Sequence, residues 1–169
     1  MAVWPPANHG NSPFYKGGLG GFESYFLPNL EKTAMSEFQT KRLPVSPDAV
    51  APDGSDVRVL LGLTMGSLAH FELRPGQTSI PIAHRSVEEI WFFLTGRGEM
   101  WRKQGEREEV VPVEPGVCIT IPLGTHFQFR SFGHEGLGAI GITMPPWPGE
   151  GEGYEVKGLW PPTVRPPLH

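Results

Sequence analysis

From Asp56 to about Thr143 the chain is a series of short apolar and β-branched runs set between polar turn segments. Turn residues break the runs at regular intervals, and no helical period is sustained, so the pattern predicts strands. They fall at 57–64, 67–73, 79–84, 89–95, 98–102, 108–113, 117–121, 126–131 and 138–143. The intervening turns include Arg74-Pro75-Gly76, Thr95-Gly96-Arg97-Gly98, Gln104-Gly105, Glu114-Pro115-Gly116 and Pro122-Leu123-Gly124. Each supplies a fixed φ or a permitted positive φ where the chain must reverse. Strands this short and numerous close into an all-β jelly roll or barrel, which leaves no long sheet edge exposed.

The flanks have a different texture. Residues 1–56 read as an irregular arm, because Trp4-Pro5-Pro6, the Gly17-Gly18-Leu19-Gly20-Gly21 cluster and Pro44, Pro47 and Pro52 discourage regular elements. One helical turn is allowed near Glu31 to Gln39. The arm's Phe14, Tyr15, Phe22, Tyr25 and Phe26 predict packing on the barrel or on a second subunit. The barrel is expected over 57–145, and 146–169 forms a Pro-rich tail anchored by Trp147 and Trp160.

Length and charge narrow the function classes. The 169 residues suit one domain, and a net charge of −4 with no basic stripe argues against a nucleic-acid partner. No run approaches the roughly 20 apolar residues that span a bilayer, and the N-terminus lacks a basic-then-apolar leader, so a cytoplasmic protein is expected. The single Cys118 lies in an apolar run and reads as a small buried hydrophobe. The mixed-sign run Lys103 to Glu109 reads as a solvated hairpin tip.

Of six histidines, His9, His134 and His169 lie in predicted loops or termini, leaving His70, His84 and His126 at strands. His84 ends one strand and Glu88-Glu89 opens the next after Arg85-Ser86-Val87. An odd offset flips faces, so His84 and Glu89 meet only if the chain bends at 85–87. Neither Gly nor Pro marks that bend. A carboxylate opening so apolar a strand needs a cation or hydrogen-bond donors to be buried.

These residues resemble the two motifs of the cupin superfamily. The first, G-x5-H-x-H-x3or4-E-x6-G, is matched by Gly76, His84, Glu89 and Gly96, with Ile82 at the first histidine. The second, G-x5-P-x-G-x2-H-x3-N, is matched by Gly116, Pro122 and Gly124, with His126 one residue early and Arg130 in place of the asparagine. The resemblance implies a double-stranded β-helix barrel and a metal centre of His84, Glu89 and His126, a two-His-one-carboxylate set. Gln128, Glu88 and His70 are possible substitutes for the missing ligand. The ion implied is one divalent transition metal, Fe, Zn, Mn or Ni, and cupins commonly form homodimers. Ile82, Trp91, Phe93 and Arg130 are the candidate pocket residues, with Arg130 placed to meet an anionic substrate group or a buried carboxylate.

Three functions follow from the resemblance. One is a metal-dependent enzyme of oxygenase, isomerase or lyase type acting on a small molecule. Another is a non-enzymatic small-molecule-binding barrel in which Ile82 marks a degenerate or empty metal site. The third is a metal-free acid/base enzyme with His84 as base.

Overall fold

The computed structural model describes residues 37–164. The aromatics of residues 14–26 lie outside them, as does most of the expected helical turn, and residues 37–39 carry no helix. Eleven strands form among the described residues: β1 Ala49–Val50, β2 Asp56–Leu63, β3 Gly66–Leu73, β4 Ile82–His84, β5 Glu88–Thr95, β6 Arg97–Gln104, β7 Arg107–Val113, β8 Cys118–Ile121, β9 His126–Phe132, β10 Leu137–Met144 and β11 Gly153–Glu155. A six-stranded sheet runs β1-β2-β3-β10-β5-β8, and a five-stranded sheet runs β11-β4-β9-β6-β7. Every assigned pairing between strands is antiparallel.

All nine predicted strands appear, and β4 is the one that is clearly shortened. Its expected first half leaves the ladder because Pro81 has no N–H and Ile80 donates instead to the Asp53 carbonyl at 2.8 Å. The two extra strands come from the flanks. β1 pairs with the start of β2, and β11 pairs with β4 in the register Gly153↔His84. Sheet pairing therefore extends past both expected barrel limits, 57 and 145.

Alternation along β5 sorts the core: Glu89, Trp91 and Phe93 are buried, whereas Glu88, Phe92 and Leu94 are exposed. The inward faces of the two sheets meet around Trp91, Phe93, Met100, Phe127 and Phe129. Phe71 and Trp91 stack with centroids 4.8 Å apart and planes 12° apart. Gly141 makes that stack possible, since a Cβ there would lie 2.7 Å from Phe71 Cε2 and 3.1 Å from Trp91 Nε1. The same alternation corrects the reading of Cys118. Ile119 and Ile121 take the buried positions of β8, which leaves the Cys118 thiol exposed.

The C-terminal segment is built into the second sheet. Gln128, fully buried on β9, donates to the carbonyls of Ser79 and Trp160, each at 2.8 Å, and accepts from the Leu159 and Trp160 amides. The Arg130 guanidinium covers the Trp160 ring at 4.4 Å.

Candidate functional site

His84 and Glu89 meet because the chain bends between β4 and β5, and the bend is held from a distance. The Glu152 carboxylate accepts from the Ser86 amide at 2.7 Å, the Ser86 hydroxyl at 2.8 Å and the Val87 amide at 3.0 Å. Arg85 adds a bond from its Nε to the Gly151 carbonyl and stacks over Tyr154. Burial raises the Glu152 carboxyl, but the bonds from Ser86 and Val87 and the nearby His84 ring outweigh it and hold the pKa below the usual value. The bend thus depends on a carboxylate more than sixty residues downstream.

With the faces aligned, His84 and Glu89 both line one cavity of about 430 Å³. Their nearest polar atoms, His84 Nδ1 and Glu89 Oε2, are 3.9 Å apart, beyond hydrogen-bond reach. Trp91 Nε1 donates to Glu89 Oε2 at 2.9 Å. The His84 ring is flanked by Phe127 and Trp147 in edge contacts at 5.3 and 5.5 Å, and its Nδ1 is buried without a partner.

Burial dominates the protonation of both groups. It pushes Glu89 up to about 8, against the lowering effect of the Trp91 bond and helped by the nearby Asp53 and Glu152. It pushes His84 down to about 4, with Glu152 acting in the opposite direction. A neutral carboxylic acid and a neutral imidazole therefore face the cavity at pH 7. Asp53, also at the cavity wall, is raised by burial while its Oδ1 accepts from the Ser55 amide.

The other expected site residues go elsewhere. His126 does not join His84 and Glu89: Phe127 and Phe129 take the inward positions of β9, so His126 alternates to the outer face, opposite Lys103 of β6. Counted strictly from Gly124, the motif histidine position is Phe127, and the asparagine position is Ser131. Arg130 also faces outward, where its Nε and one terminal nitrogen donate to Glu99 Oε2 at 3.0 and 2.7 Å. It reaches neither a substrate pocket nor Glu89.

None of the proposed substitute ligands reaches the site either. Gln128 holds the C-terminal segment, and Glu88 is exposed. His70 lies on the opposite face of β3 from Ala69 and Phe71, which line the cavity. Of the expected pocket residues, Ile82 and Trp91 line the cavity, whereas Phe93 is buried core beyond it. Phe71, Phe127, Trp147 and Glu152 were missed as site residues. Phe127 was legible from the motif spacing, whereas nothing local in the sequence ties Glu152 to the bend.

Two antiparallel sheets closed around an apolar cavity, with a few polar groups at its wall, define a double-stranded β-helix barrel. No protein-family profile and no curated protein matches the chain. Among solved structures it is similar to KdgF from Halomonas sp., at 15% identity and TM-score 0.54 over 65% of this chain and 97% of that one. It is also similar to an uncharacterized conserved protein with a double-stranded beta-helix domain from Klebsiella pneumoniae, at 17% identity and TM-score 0.52 over 64% and 91%. A third likeness is to vicilin from hazelnut, Corylus avellana, at 27% identity and TM-score 0.50, over 57% of this chain but only 30% of that one. The chain has the cupin-type double-stranded β-helix fold.

The metal that this fold commonly carries does not fit the residues present. The four ligand positions hold Ile82, His84, Glu89 and Phe127, so two imidazole donors are replaced by hydrocarbon. One oxygen of Glu89 already accepts the Trp91 N–H. Among the described residues no three His, Cys, Asp or Glu side chains gather into a metal-holding group. Two donors fall short of the three protein ligands usual in catalytic zinc sites.

Proposed function

We propose that this chain is a metal-independent cupin barrel that binds one small organic molecule in the cavity headed by His84 and Glu89. The observation that carries this reading is the pair Ile82 and Phe127, which removes half of the ligand set while leaving a cavity of about 430 Å³. That volume falls in the range of small-molecule sites, and an apolar lining with a few convergent polar groups is their usual composition.

Protein purified without added metal is expected to carry less than about a tenth of an equivalent of any transition metal. The neutral fluorophore N-phenyl-1-naphthylamine should bind it saturably and one to one. Ala69→Trp, which fills the cavity from β3, should weaken that binding at least about tenfold. Stoichiometric metal, or equal fluorophore binding by both proteins, would overturn the reading.

We further propose that the barrel works as a homodimer in the cytoplasm. Phe92, Leu94 and Ile142 are 45%, 41% and 40% exposed on the outer face of the six-stranded sheet, an apolar patch suited to a second copy. Sedimentation at tens of micromolar should show a dimer, and Phe92→Glu should shift it to monomer. A monomeric wild type counts against this assignment.

A further inference from the structure

The cavity is selective in what it leaves unpaired. Its wall carries aromatic rings from both sheets and from the C-terminal segment, Phe71, Trp91, Phe127 and Trp147. Most of its polar groups are already engaged with one another. Ser67 Oγ lies 2.6 Å from Thr143 Oγ1 and accepts the Trp147 amide at 2.9 Å, and Asp53 accepts from Ser55. What remains is His84 and the second oxygens of Glu89 and Asp53, with His84 and Glu89 side by side at the head of the cavity. Among the described residues no lysine or arginine lines the cavity, so an anion would find no counter-charge at its wall.

Resting on the binding reading above, we infer that the ligand is an uncharged, flat ring compound with a single hydrogen-bonding head, a hydroxyl or carbonyl, directed at His84 and Glu89. A sugar would leave most of its hydroxyls against hydrocarbon, and each buried hydroxyl without a partner costs about 1–3 kcal/mol. A carboxylate or phosphate would be buried without a counter-charge. The ring compound places π-faces and edges against four aromatic side chains, where offset and edge-on contacts are favourable. Trp147 is the wall that sets this preference from outside the strands, because it packs edge-on against His84 and is held in place by its own amide bond to Ser67.

The test compares three naphthalenes that differ in charge, with a sugar beside them. Isothermal titration at pH 7 with 2-naphthol, 2-naphthoate, 1-naphthylmethylamine and methyl glucoside should show 2-naphthol binding at least about tenfold tighter than the other three. Trp147→Ala should weaken 2-naphthol roughly three- to tenfold, the loss of one aromatic wall. Binding of the naphthoate, the amine or the glucoside as tight as that of 2-naphthol overturns the ligand class, as does binding by none. The occupancy reading stands or falls separately, on the fluorophore and the Ala69→Trp variant. If Trp147→Ala binds 2-naphthol as the wild type does, Trp147 is not a specificity wall.

Discussion

Glu152→Ala is expected to lower unfolding stability by about 3–5 kcal/mol and to weaken ligand binding at the same time. The side chain is only 5% exposed and accepts three hydrogen bonds, two of them from backbone amides of the turn that separates His84 from Glu89. Bonds to a charged acceptor contribute about 1.5–3 kcal/mol each, and a buried amide left unpaired adds its desolvation penalty. The sum is kept to 3–5 kcal/mol because the Ser86 residue is itself exposed and water can replace its partner. Glu152→Gln keeps one carbonyl acceptor and should recover about half of the loss. Glu150→Ala, two residues away and exposed, should change stability by less than about 0.5 kcal/mol. Urea unfolding followed by tryptophan fluorescence reads all three, and a Glu152→Ala protein as stable as Glu150→Ala would remove the carboxylate from its role in aiming the site.

The same residue shows where sequence reading reaches and where it stops. Strand positions were legible because alternation is a local property: β5 reads Glu-Ile-Trp-Phe-Phe-Leu, and the structure buries every second side chain of it. The meeting of His84 and Glu89 was implied by the motif resemblance, and the same rule required a bend between them, since an odd offset otherwise puts them on opposite faces. The bend's cause was not legible, because Ser86 and Val87 are held by a carboxylate from the C-terminal segment, and no local pattern records a contact of that range. His126 fails for a different reason. A shift of one residue exchanges the two faces of a strand, so a motif histidine placed one position early becomes an outer-face histidine, and Phe127 takes the interior. Arg130, counted from that shifted register, went to the outer face with it and found Glu99. Ile82 alone suggested a reduced metal site, whereas Ile82 with Phe127 removes it.

Between pH 6.5 and 8 Glu89 is expected to cost the protein about 2 kcal/mol of stability, and Glu89→Gln is expected to remove that part of the loss. The Glu89 pKa is raised from 4.5 to about 8, chiefly by burial, so the folded state keeps a proton that the unfolded chain releases. Stability from this group is therefore complete below pH 4.5 and declines as pH rises to 8. His84 acts in the opposite sense. Its pKa falls from 6.5 to about 4, again chiefly by burial, so the unfolded chain takes a proton that the folded state refuses, and stability drops as pH falls from 6.5 to 4. The Glu89 and His84 slopes nearly cancel between pH 4.5 and 6.5 and leave that of Glu89 above it, while Asp53, raised by burial, acts in the sense of Glu89 and His70, lowered by burial, acts in the sense of His84. The remaining interval is about one and a half pH units, and at about 1.4 kcal/mol per unit it amounts to about 2 kcal/mol. Glu89→Gln preserves an oxygen that accepts the Trp91 N–H and cannot ionise, so its unfolding free energy should fall by about 2 kcal/mol less than that of the wild type from 6.5 to 8. His84→Asn should do the reverse and expose the Glu89 slope from pH 4.5 upward. A wild type whose stability is flat or rises across 6.5 to 8 would mean that Glu89 is ionised in the folded barrel. A charge at that position would require a counter-ion in the cavity and would count against an uncharged occupant.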